Sequence, residues 1–555
     1  MSSADTYPPK RSLLVYLGII SISALLLLPF LGAVHLFDSD EVNYAESARE
    51  MVLTGDYMNV QIDFEPFPEK PPLFFWLQVV SMKLFGINEF AARFPNVICG
   101  MVTLMLLYFI GKRLYGHRFG TYWILSYGAA ILPFFFFKSG IIDPWFNLFI
   151  FLGMVWFVFY LDPERRKSRV INVMLSALFF SLAILTKGPV ALLIFLICFI
   201  LFLLVRRFRM ETSVRDVALF TGILVLVGGS WYFYQIISGN SYVLKEFIRY
   251  QFSILVKVKT GHEGFFGYHL VVLLLGVFPA SVISLKSITK KAEEKELQRL
   301  FKQWMVIMIL VVIILYSIAR TKLLHYSSLA YFPMTFLAAW VWEKWVDRKI
   351  EIGSWQVVVI FLIALFYASV TILFPLVADH REWLLEKDFS FLDPFTRGAL
   401  QRNAHWSGYE WLVGLFLILG VGFAAVQILR RNSRGMLILH LVVLLFVTAS
   451  IYLFSGRIEG YTQRAAINFY KGLKGQEVYV RPLGFKSFSH LFYFDKQPGG
   501  RQIDVHQLME EELDRDAYFV IRLDDKELYL ARYPFLELLQ EKDGYVLTVK
   551  RAGKK

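Results

Sequence analysis

The sequence predicts an all-α protein that crosses a membrane many times and carries a small soluble α/β domain at its C-terminal end. Of its 555 residues, 56% are hydrophobic and 17% are aromatic, and the mean hydropathy is +0.51. Such a chain is far more apolar than a soluble domain. Apolar runs near the length of a bilayer crossing recur along residues 1–454, whereas residues 455–555 are polar.

Thirteen apolar runs approach the roughly 17 to 25 residues that a membrane-spanning helix needs. They cover residues 13–34, 94–110, 121–137, 145–161, 170–186, 190–205, 217–237, 268–288, 305–318, 329–346, 357–377, 411–428 and 436–454. We expect the first run to remain in the protein as a membrane helix, because it is too long for the apolar core of a cleaved signal peptide. The runs predict a membrane domain over residues 1–454 with about 13 crossings.

Basic residues concentrate in alternate short loops between these runs. The net charge of +13 therefore reflects membrane orientation and does not indicate a nucleic-acid partner. The positive-inside rule places the basic loops and the N-terminus in the cytoplasm, and an odd number of crossings places the other loops and residues 455–555 outside. Cys99 and Cys198 both lie within apolar runs, so the sequence offers neither a disulfide framework nor a thiolate metal site.

The polar segment 455–555 alternates strand-like runs with helical stretches. Strands are predicted at residues 478–480, 518–521 and 545–548, and a helix at residues 462–473. This pattern predicts an α/β domain of about one hundred residues. It contains no residue spacing typical of a catalytic site.

The first outer loop, residues 35–90, is long for a connection between helices, and long loops in compact proteins tend to carry function. Apolar residues recur at helical spacing from Val42 onward and again after Pro71-Pro72. We expect two amphipathic helices that lie in the membrane interface. They would hold four charged residues at headgroup level: Asp40, Glu41, Glu69 and Lys70.

Charged residues at that depth suit a lipid substrate with a phosphate, because its head is bound at the surface while its tails stay in the bilayer. Further candidates lie in other outward loops: Asp143, Lys187, His262, Arg320, Lys322, His325 and Tyr326. Each also has an ordinary explanation. Asp143 before Pro144 is a typical helix start, and a lysine near a helix end can extend its charge to the interface.

These charged positions resemble the signature of bacterial aminoarabinose transferases and their protein mannosyltransferase relatives. The matching runs in the first outer loop are Asp40-Glu41-x-x-Tyr44 and Glu69-Lys70-Pro71-Pro72. Later matches, in the same order, are Asp143, Lys187-Gly188-Pro189, His262 and Lys322-Leu323-x-x-Tyr326. Phe265-Phe266 and Leu324 depart from the usual pattern, so the motifs indicate the superfamily better than the sugar.

The resemblance implies a glycosyltransferase C architecture. It also implies transfer of a sugar from a polyprenyl phosphate, such as undecaprenyl phosphate, to an acceptor at the outer face of the bacterial inner membrane. Asp40 would be the catalytic carboxylate near the sugar C1, supported by Glu41 and Tyr44, with Asp143 as a second acid. The remaining candidates would bind the donor phosphate or close the cavity: Lys70, Lys187, Arg320, Lys322 and Tyr326.

The chemistry of that reaction agrees with the residue types. Cleavage of a glycosyl phosphate develops positive charge at C1 and negative charge on the leaving phosphate, so the site needs carboxylates and cations. Glu69 and His262 are candidate ligands of a divalent cation, and no nucleotide cofactor is expected. A glycolipid such as lipid A or lipopolysaccharide is the first expectation for the acceptor, and a protein hydroxyl is the second.

Two other classes of function are open at this point. A transporter or flippase for lipid-linked sugars would also have many spans, but such proteins tend to show repeated halves and polar residues at mid-membrane. We find no clear repeat, and the notable charges cluster at one face. A non-enzymatic envelope scaffold would leave those charges without a role.

Overall fold

The computed structural model describes residues 9–207, 212–256, 264–288, 294–386, 393–402, 406–500 and 503–553. Most of these residues are helical. The helices up to the end of the membrane part are α1 (Pro9–Leu27), α2 (Asp40–Thr54), α3 (Leu73–Phe85), α4 (Glu89–Tyr115), α5 (His117–Gly128), α6 (Ile131–Phe137), α7 (Asp143–Tyr160), α8 (Arg169–Lys187), α9 (Val190–Val205), α10 (Val214–Ile223), α11 (Ser230–Ile237), α12 (Ser241–Val256), α13 (Tyr268–Gly276), α14 (Ala280–Ser284), α15 (Glu296–Ile318), α16 (Tyr331–Val346), α17 (Ser354–Asp379), α18 (Arg381–Glu386), α19 (Pro394–Leu400), α20 (Trp411–Leu429) and α21 (Arg434–Thr462).

The C-terminal domain contains four short helices and a four-stranded sheet. They are α22 (Arg464–Gly472), α23 (Ser489–Phe494), α24 (Val505–Glu510) and α25 (Lys526–Arg532), with strands β3 (Tyr479–Leu483), β4 (Ala517–Arg522), β5 (Glu537–Lys542) and β6 (Tyr545–Lys550). A two-stranded hairpin in the first outer loop supplies β1 (Gln61–Ile62) and β2 (Glu65–Pro66). Short 3₁₀ turns lie at Pro163–Ser168, Leu285–Ile288, Tyr326–Ala330 and Leu523–Asp525, and a π turn lies at Leu224–Gly228.

Seven described helices are long and apolar enough to cross a membrane, or up to ten if each of three bent pairs is one span. The bent pairs are His117–Gly128 with Ile131–Phe137, Val214–Gly228 with Ser230–Ile237, and Tyr268–Gly276 with Ala280–Ser287, at 76°, 50° and 108°. All thirteen predicted runs overlap helices, so the multi-pass fold is confirmed, but a count of 13 crossings is not. Hydropathy does not reveal where a run bends. In the third pair the break falls at Pro279, which has no backbone N–H to donate.

Helix α7 lies at the centre of the membrane part, and 89% of its apolar stretch is buried inside the protein. Its aromatic side chains interlock with those of other helices. Phe151, for example, stacks on Phe332 of α16 with ring centroids 4.3 Å apart. Because α7 begins at Asp143, this packing fixes that carboxylate at one end of the helix bundle.

The two helices predicted in the first outer loop are present as α2 and α3, but α2 does not lie on the membrane with a solvated polar face. Its polar face is buried, including Glu46, Arg49 and Glu50, each 0% exposed. The C-terminal domain covers it. The helix ends at Gly55, whose φ of 73° lets the backbone turn back and donate to the carbonyl of Met51.

The sheet of the C-terminal domain has the order β3-β4-β6-β5, with β3 and β4 parallel and the other pairs antiparallel. The predicted helix and three predicted strands are present as α22, β3, β4 and β6. Strand β5 was not predicted, because this mostly exposed strand lacks an alternation of apolar and polar residues. Helix α21 continues to Thr462, so the soluble fold begins later than the predicted boundary at residue 455.

The C-terminal domain and the first outer loop share one hydrophobic core. Apolar residues of α2 and α3 pack with residues of α22, α23, β3, β4 and β6 in a single cluster. Polar contacts reinforce the junction: the Leu36 N–H donates to the Tyr493 hydroxyl at 2.7 Å, and the Gln463 amide donates to the Leu36 carbonyl at 2.7 Å. We call the side of the membrane domain that carries both elements the loop face.

Candidate active site

A cavity of about 990 Å³ opens on the loop face, where α2, the end of α8, α12 and the segment after α15 meet the C-terminal domain. One wall is apolar and contains Val190, Leu193, Phe247, Ile248 and Phe252. The other walls carry polar groups: Asp38, Asp40, Asn43, Tyr44, Glu69, Lys70, Lys187, Tyr250, Gln251, His325, Tyr326, Lys486 and Ser487. Pockets of this size are typical of small-molecule sites. This one suits a molecule with an apolar tail and a charged head.

Asp40 lines the cavity at the first position of α2, where the positive end of the helix dipole favours a carboxylate. Its side chain is 38% exposed. Nε2 of His325 lies 3.8 Å from Oδ2 of Asp40, and no other ion-pair partner approaches Asp40 in the part of the chain that the structure describes. The carboxylate therefore has hydrogen-bonding capacity left for a ligand.

Asp143 and Lys187 form an ion pair beside the cavity. Nζ of Lys187, the last residue of α8, lies 2.6 Å from Oδ1 of Asp143, the first residue of α7. The Asp143 side chain is only 4% exposed, and Lys187 and His325 cover it. Lys187 itself lines the cavity. The start of α7 and the end of α8 thus bring the buried Asp143 and the partly exposed Lys187 together, which is more than helix capping requires.

His325 links the two acids, with its Nε2 3.8 Å from Asp40 and 3.9 Å from Asp143. Burial lowers the pKa of His325, and the Asp143 carboxylate only partly opposes that effect. The imidazole is therefore neutral at neutral pH and can accept a proton. The sequence placed His325 in the outward basic and aromatic cluster, but no specific role was predicted for it. Its position between Lys322 and Tyr326, which both match the family pattern, was the available signal.

Lys70 provides the second cation of the cavity. Its Nζ lies 4.9 Å from the ring centroid of Tyr250 and donates to the Glu69 carbonyl at 3.3 Å. Tyr250 also hydrogen-bonds the Glu69 side chain, and burial is the main reason that the pKa of Tyr250 is raised. Tyr250 was missed by sequence analysis, because α12 carries no recognisable motif. Together these side chains form a polar corner beneath the apolar wall.

Tyr44 and Tyr326, which the sequence suggested as donor- or acceptor-binding residues, both line the cavity. Tyr44 packs edge-on against Phe74 and Phe75, with ring centroids 5.9 and 5.8 Å away. The ring of Tyr326 lies 5.3 Å from that of Tyr316, and Nζ of Lys187 lies 5.6 Å from its centroid. These contacts hold both phenol rings in place at the cavity wall.

Glu41 does not line the cavity, which corrects its predicted assignment to the binding residues. Its two oxygens accept hydrogen bonds from Nε and Nη2 of Arg93, both at 2.8 Å, and from the backbone N–H groups of Phe37 at 2.8 Å and Gly140 at 2.6 Å. Burial favours the neutral acid, but Arg93 and these backbone donors hold the pKa of Glu41 below its ordinary value. The carboxylate has no capacity left for a ligand, so Glu41 fixes the segment that presents Asp40.

Lys322 and Arg320 also differ from the prediction. The Lys322 ammonium donates to the carbonyls of Tyr316, Ser317 and Ala319 at 2.9, 2.7 and 2.7 Å. These acceptors use all three of its protons and close the C-terminal end of α15. Arg320 is exposed, and neither residue lines the cavity. The phosphate-binding role predicted for Lys322 is therefore corrected to a helix cap.

The predicted cation ligands Glu69 and His262 are described only in part. Glu69 lines the cavity, whereas His262 lies outside the described residues. Within the described ranges, no group of three or more histidine, cysteine, aspartate or glutamate side chains could hold a metal ion. The divalent cation stays a prediction.

The C-terminal domain contributes to the cavity wall, which sequence analysis did not foresee. Lys486, Ser487 and Phe488 line the cavity. Ser487 hydrogen-bonds Asp38, whose pKa is raised chiefly by burial and partly by the nearby Asp40. No short motif marks these residues. They reach the site only because the domain docks on α2.

Comparison with family models and curated proteins gives consistent matches. Residues 69–233 match the family model described as dolichyl-phosphate-mannose-protein mannosyltransferase. The undecaprenyl phosphate-alpha-4-amino-4-deoxy-L-arabinose arabinosyl transferase of Wigglesworthia glossinidia brevipalpis is 24% identical over 59% of this chain and 58% of its own length. The corresponding transferase 1 of Proteus mirabilis (strain HI4320) is 23% identical over 69% of this chain and 71% of its own. An uncharacterized protein of Aquifex aeolicus (strain VF5) is 25% identical over 61% and 67%.

A solved structure extends the likeness to the whole chain. ArnT from Cupriavidus metallidurans, crystallised with undecaprenyl phosphate, superposes with a TM-score of 0.77 at 18% sequence identity. The superposition covers 99% of this chain and 100% of that one. At this level of identity the likeness shows a common fold, which includes the C-terminal domain as well as the membrane helices. The expected glycosyltransferase C architecture is thereby confirmed.

Proposed function

We propose that this chain is a membrane glycosyltransferase related to the aminoarabinose transferases and protein mannosyltransferases that it resembles, and that it transfers a sugar from undecaprenyl phosphate to a glycolipid acceptor such as lipid A. The single observation that carries the proposal is the cavity on the loop face. It combines carboxylates, cations and an apolar wall. Each of these three parts corresponds to one part of a lipid-linked sugar donor.

The donor fits the cavity in one orientation. Its prenyl chain would lie along the apolar wall formed by α9 and α12, and its phosphate would lie near the ammonium groups of Lys70 and Lys187. A charge-assisted contact with a phosphate is among the stronger hydrogen bonds that a protein makes. This orientation places the sugar C1 toward Asp40, at the opposite, polar side of the cavity.

Transfer then proceeds by attack of an acceptor oxygen on C1. The new C1–O bond forms as the bond between C1 and the phosphate oxygen breaks, and polyprenyl phosphate leaves with the bonding electrons. Lys70 and Lys187 stabilise the charge that develops on the leaving phosphate. If the acceptor is a hydroxyl, its proton passes to Asp40, and the neighbouring His325 can accept it next. If the acceptor is a phosphate that is already ionised, Asp40 orients the attack.

The membrane orientation is part of the proposal. The basic residues of alternate loops support a cytoplasmic N-terminus, which puts the loop face and the C-terminal domain in the periplasm. Single cysteines introduced on the C-terminal domain, in a background in which Cys99 and Cys198 are replaced, should react with an impermeant maleimide in intact spheroplasts. Labelling only after lysis would contradict this orientation.

A protein hydroxyl is the second candidate acceptor. The match of residues 69–233 to a protein mannosyltransferase model favours it. The same cavity and the same donor would serve, because only the nucleophile differs. An assay that offers both acceptors separates the two candidates.

The test is a transfer assay in proteoliposomes. Purified protein receives undecaprenyl phosphate carrying radiolabelled aminoarabinose, mannose or another sugar, together with lipid A or a serine-rich protein. Label recovered in lipid A supports the proposal, whereas label in the protein supports the second candidate. Movement of the labelled donor between leaflets without any covalent transfer would identify a flippase and refute both.

The same assay tests the proposed divalent cation at Glu69 and His262. Treatment with EDTA should reduce transfer, and added magnesium or manganese should restore it. Glu69→Gln should remove the response to the metal. Full activity after exhaustive chelation would exclude the cation from the site.

A further inference from the structure

A second cavity, of about 610 Å³, lies between the C-terminal domain and the hairpin of the first outer loop, and it adjoins the active-site cavity. The two share one wall, made of Lys486, Ser487 and Phe488. The other lining residues are Asp63, Arg481, Pro482, Leu483, Gly484, Phe485, His490, Asp504, Val505 and Tyr529. We call this second cavity the headgroup pocket. A ligand bound in it would touch the same loop that borders Asp40.

We propose that the headgroup pocket binds the phosphorylated sugar headgroup of the acceptor lipid, and that Lys486 is the cation that holds its phosphate. This inference rests on the proposed function, because it names how the acceptor of that reaction is recognised. It gives the C-terminal domain a direct part in substrate binding. The residues proposed for donor binding and catalysis all belong to the membrane domain and the first outer loop.

The charges of the headgroup pocket favour an anion. Its acid Asp63 is neutralised twice, since Arg481 donates to it at 2.7 Å and Lys496 forms a second ion pair with it. Its acid Asp504 accepts the backbone N–H of Gln507 at 2.8 Å and so caps α24. Lys486 is exposed, and no carboxylate pairs with it among the described residues. An incoming phosphate would therefore not have to displace a carboxylate from the Lys486 ammonium.

The loop that carries Lys486 is held rigidly. The turn begins at Gly484, whose φ is 89° and where a Cβ atom would lie 2.8 Å from the ring of Tyr529. At the other end, His490 donates from Nδ1 to the Ser487 carbonyl at 3.0 Å and accepts from Arg481 at 3.0 Å. Burial lowers the pKa of His490 well below its ordinary value, which keeps the imidazole in the neutral form that this arrangement requires. A rigid loop binds a ligand at a small cost in entropy.

The pocket also offers surfaces that suit a sugar ring. Phe485, Phe488 and Tyr529 line it beside the polar groups. A pyranose has both apolar C–H faces and hydroxyl edges, and mixed aromatic and polar walls can contact both. The Lys486 ammonium lies 5.4 Å from the ring centroid of Phe488, so charge and aromatic surface are adjacent. A bare phosphate would contact the polar groups and would leave the aromatic side chains uncovered.

The position of the pocket indicates the acceptor and not the donor. The donor phosphate is assigned to Lys70 and Lys187, next to the apolar wall of α9 and α12. The headgroup pocket instead joins the active-site cavity at Ser487, which hydrogen-bonds Asp38. Asp40 follows Asp38 by two residues in the chain. An acceptor held in the headgroup pocket would therefore approach C1 on the side of the catalytic carboxylate.

Binding measurements on the full-length protein in nanodiscs test this assignment. The probes are lipid A bisphosphate, for the acceptor, and undecaprenyl phosphate, for the donor. Lys486→Ala should weaken lipid A binding by about tenfold, the factor that corresponds to about 1.4 kcal/mol, and should weaken undecaprenyl phosphate binding by a much smaller factor, because the donor phosphate is assigned to Lys70 and Lys187. Lys486→Arg keeps the charge and should restore lipid A binding. Lys542→Ala removes an exposed lysine from β5 of the same domain and serves as the matched control.

Soluble glucosamine 1-phosphate distinguishes recognition of the headgroup from recognition of the acyl chains. It should displace lipid A from the wild-type protein but not undecaprenyl phosphate. Failure of glucosamine 1-phosphate to compete, or equal lipid A affinity of wild type and Lys486→Ala, would overturn the inference while leaving the proposed function intact. Failure of the wild type to bind lipid A or undecaprenyl phosphate at all would instead refute the proposed function, so the two failures are distinguishable.

Discussion

Asp40 and Glu41 are adjacent acids at the start of α2, yet their surroundings are opposite. The Asp40 side chain is 38% exposed, and its one ion-pair partner among the described residues is His325, at 3.8 Å. The Glu41 side chain is 5% exposed and accepts four hydrogen bonds. A carboxylate offers about four lone-pair positions. Glu41 has used all of them within the protein, whereas Asp40 has kept its own for a ligand.

The same contrast separates two groups of charges further along the loop face. Around the cavity, Lys70 and Lys187 line open space beside aromatic rings. Under the C-terminal domain, Arg49 is fully buried and donates to Glu46, to Asp495 at 3.1 Å and to the Lys496 carbonyl at 2.9 Å. The first group faces the open space of the cavity, whereas the second group makes its contacts inside the fold. Charged side chains that line a pocket can contact a ligand, and charged side chains buried between two elements hold those elements together.

Asp40→Asn should have the largest effect on function. The amide keeps the size of the side chain but cannot take a proton or carry negative charge, so transfer should fall by about 10²–10⁴-fold. Donor binding and the melting temperature in detergent should be unchanged, because the protein makes little use of this carboxylate. Glu65→Gln neutralises an exposed acid of the same loop and should retain full activity. An active Asp40→Asn enzyme would show that Asp40, like Glu41, is not a catalytic carboxylate.

Much of the fold could be predicted from the sequence. Runs of apolar residues are long and unambiguous, and all thirteen overlap helices. The bends could not be predicted, because they depend on local breaks such as the one at Pro279 and on neighbouring helices. The burial of the polar face of α2 was also missed, since it requires knowledge that a distant domain docks there.

The candidate site was predicted in part, for a related reason. Residue type and order indicated Asp40, Lys70 and Lys187, which do border the cavity. Residue type and order do not distinguish a charged side chain that faces a cavity from one whose hydrogen bonds are made within the fold. Glu41 and Lys322 were therefore grouped with the binding residues. Only the three-dimensional contacts reveal that Arg93 pairs with Glu41 and that Lys322 donates to three backbone carbonyls.

Arg93→Ala should have the largest effect on stability. Its guanidinium holds Glu41 and donates to the carbonyls of Leu31, Val34 and His35 at 2.9, 2.7 and 2.9 Å. Removal of one partner of a buried ion pair typically costs about 3–5 kcal/mol. Denaturant unfolding in detergent measures the loss, with Asp40→Asn as a control of unchanged stability. Equal stability of Arg93→Ala and wild type would show that Glu41 is not bound as tightly as its contacts indicate.

Substitution of Lys70 should affect donor binding, and substitution of Lys322 should affect stability. Both effects should be smaller than those of Asp40→Asn and Arg93→Ala. Lys70→Ala should raise the KM for the lipid-linked donor by about tenfold or more, because a charged hydrogen bond contributes roughly 1.5–3 kcal/mol. Lys322→Ala should leave that KM unchanged and lower the free energy of unfolding by a similar amount, because three carbonyls at the end of α15 lose their donor. A raised donor KM in Lys322→Ala with normal stability would show that Lys322 binds the donor phosphate and does not act as a helix cap.

The last prediction concerns the pH dependence of stability and the buried charges beneath the C-terminal domain. Burial and the neighbouring Glu46 raise the pKa of Glu50 to about 9, from an ordinary value of 4.5. The folded protein therefore keeps a proton that the unfolded chain releases, so stability should fall as pH rises from about 4.5 to about 9, by at most about 1.4 kcal/mol per pH unit. Glu50→Gln cannot titrate, and its unfolding free energy should decline less steeply over this range, whatever its absolute value. The Asp40→Asn variant should keep the wild-type slope. Parallel profiles for wild type and Glu50→Gln would mean that Glu50 is ionised in the folded protein.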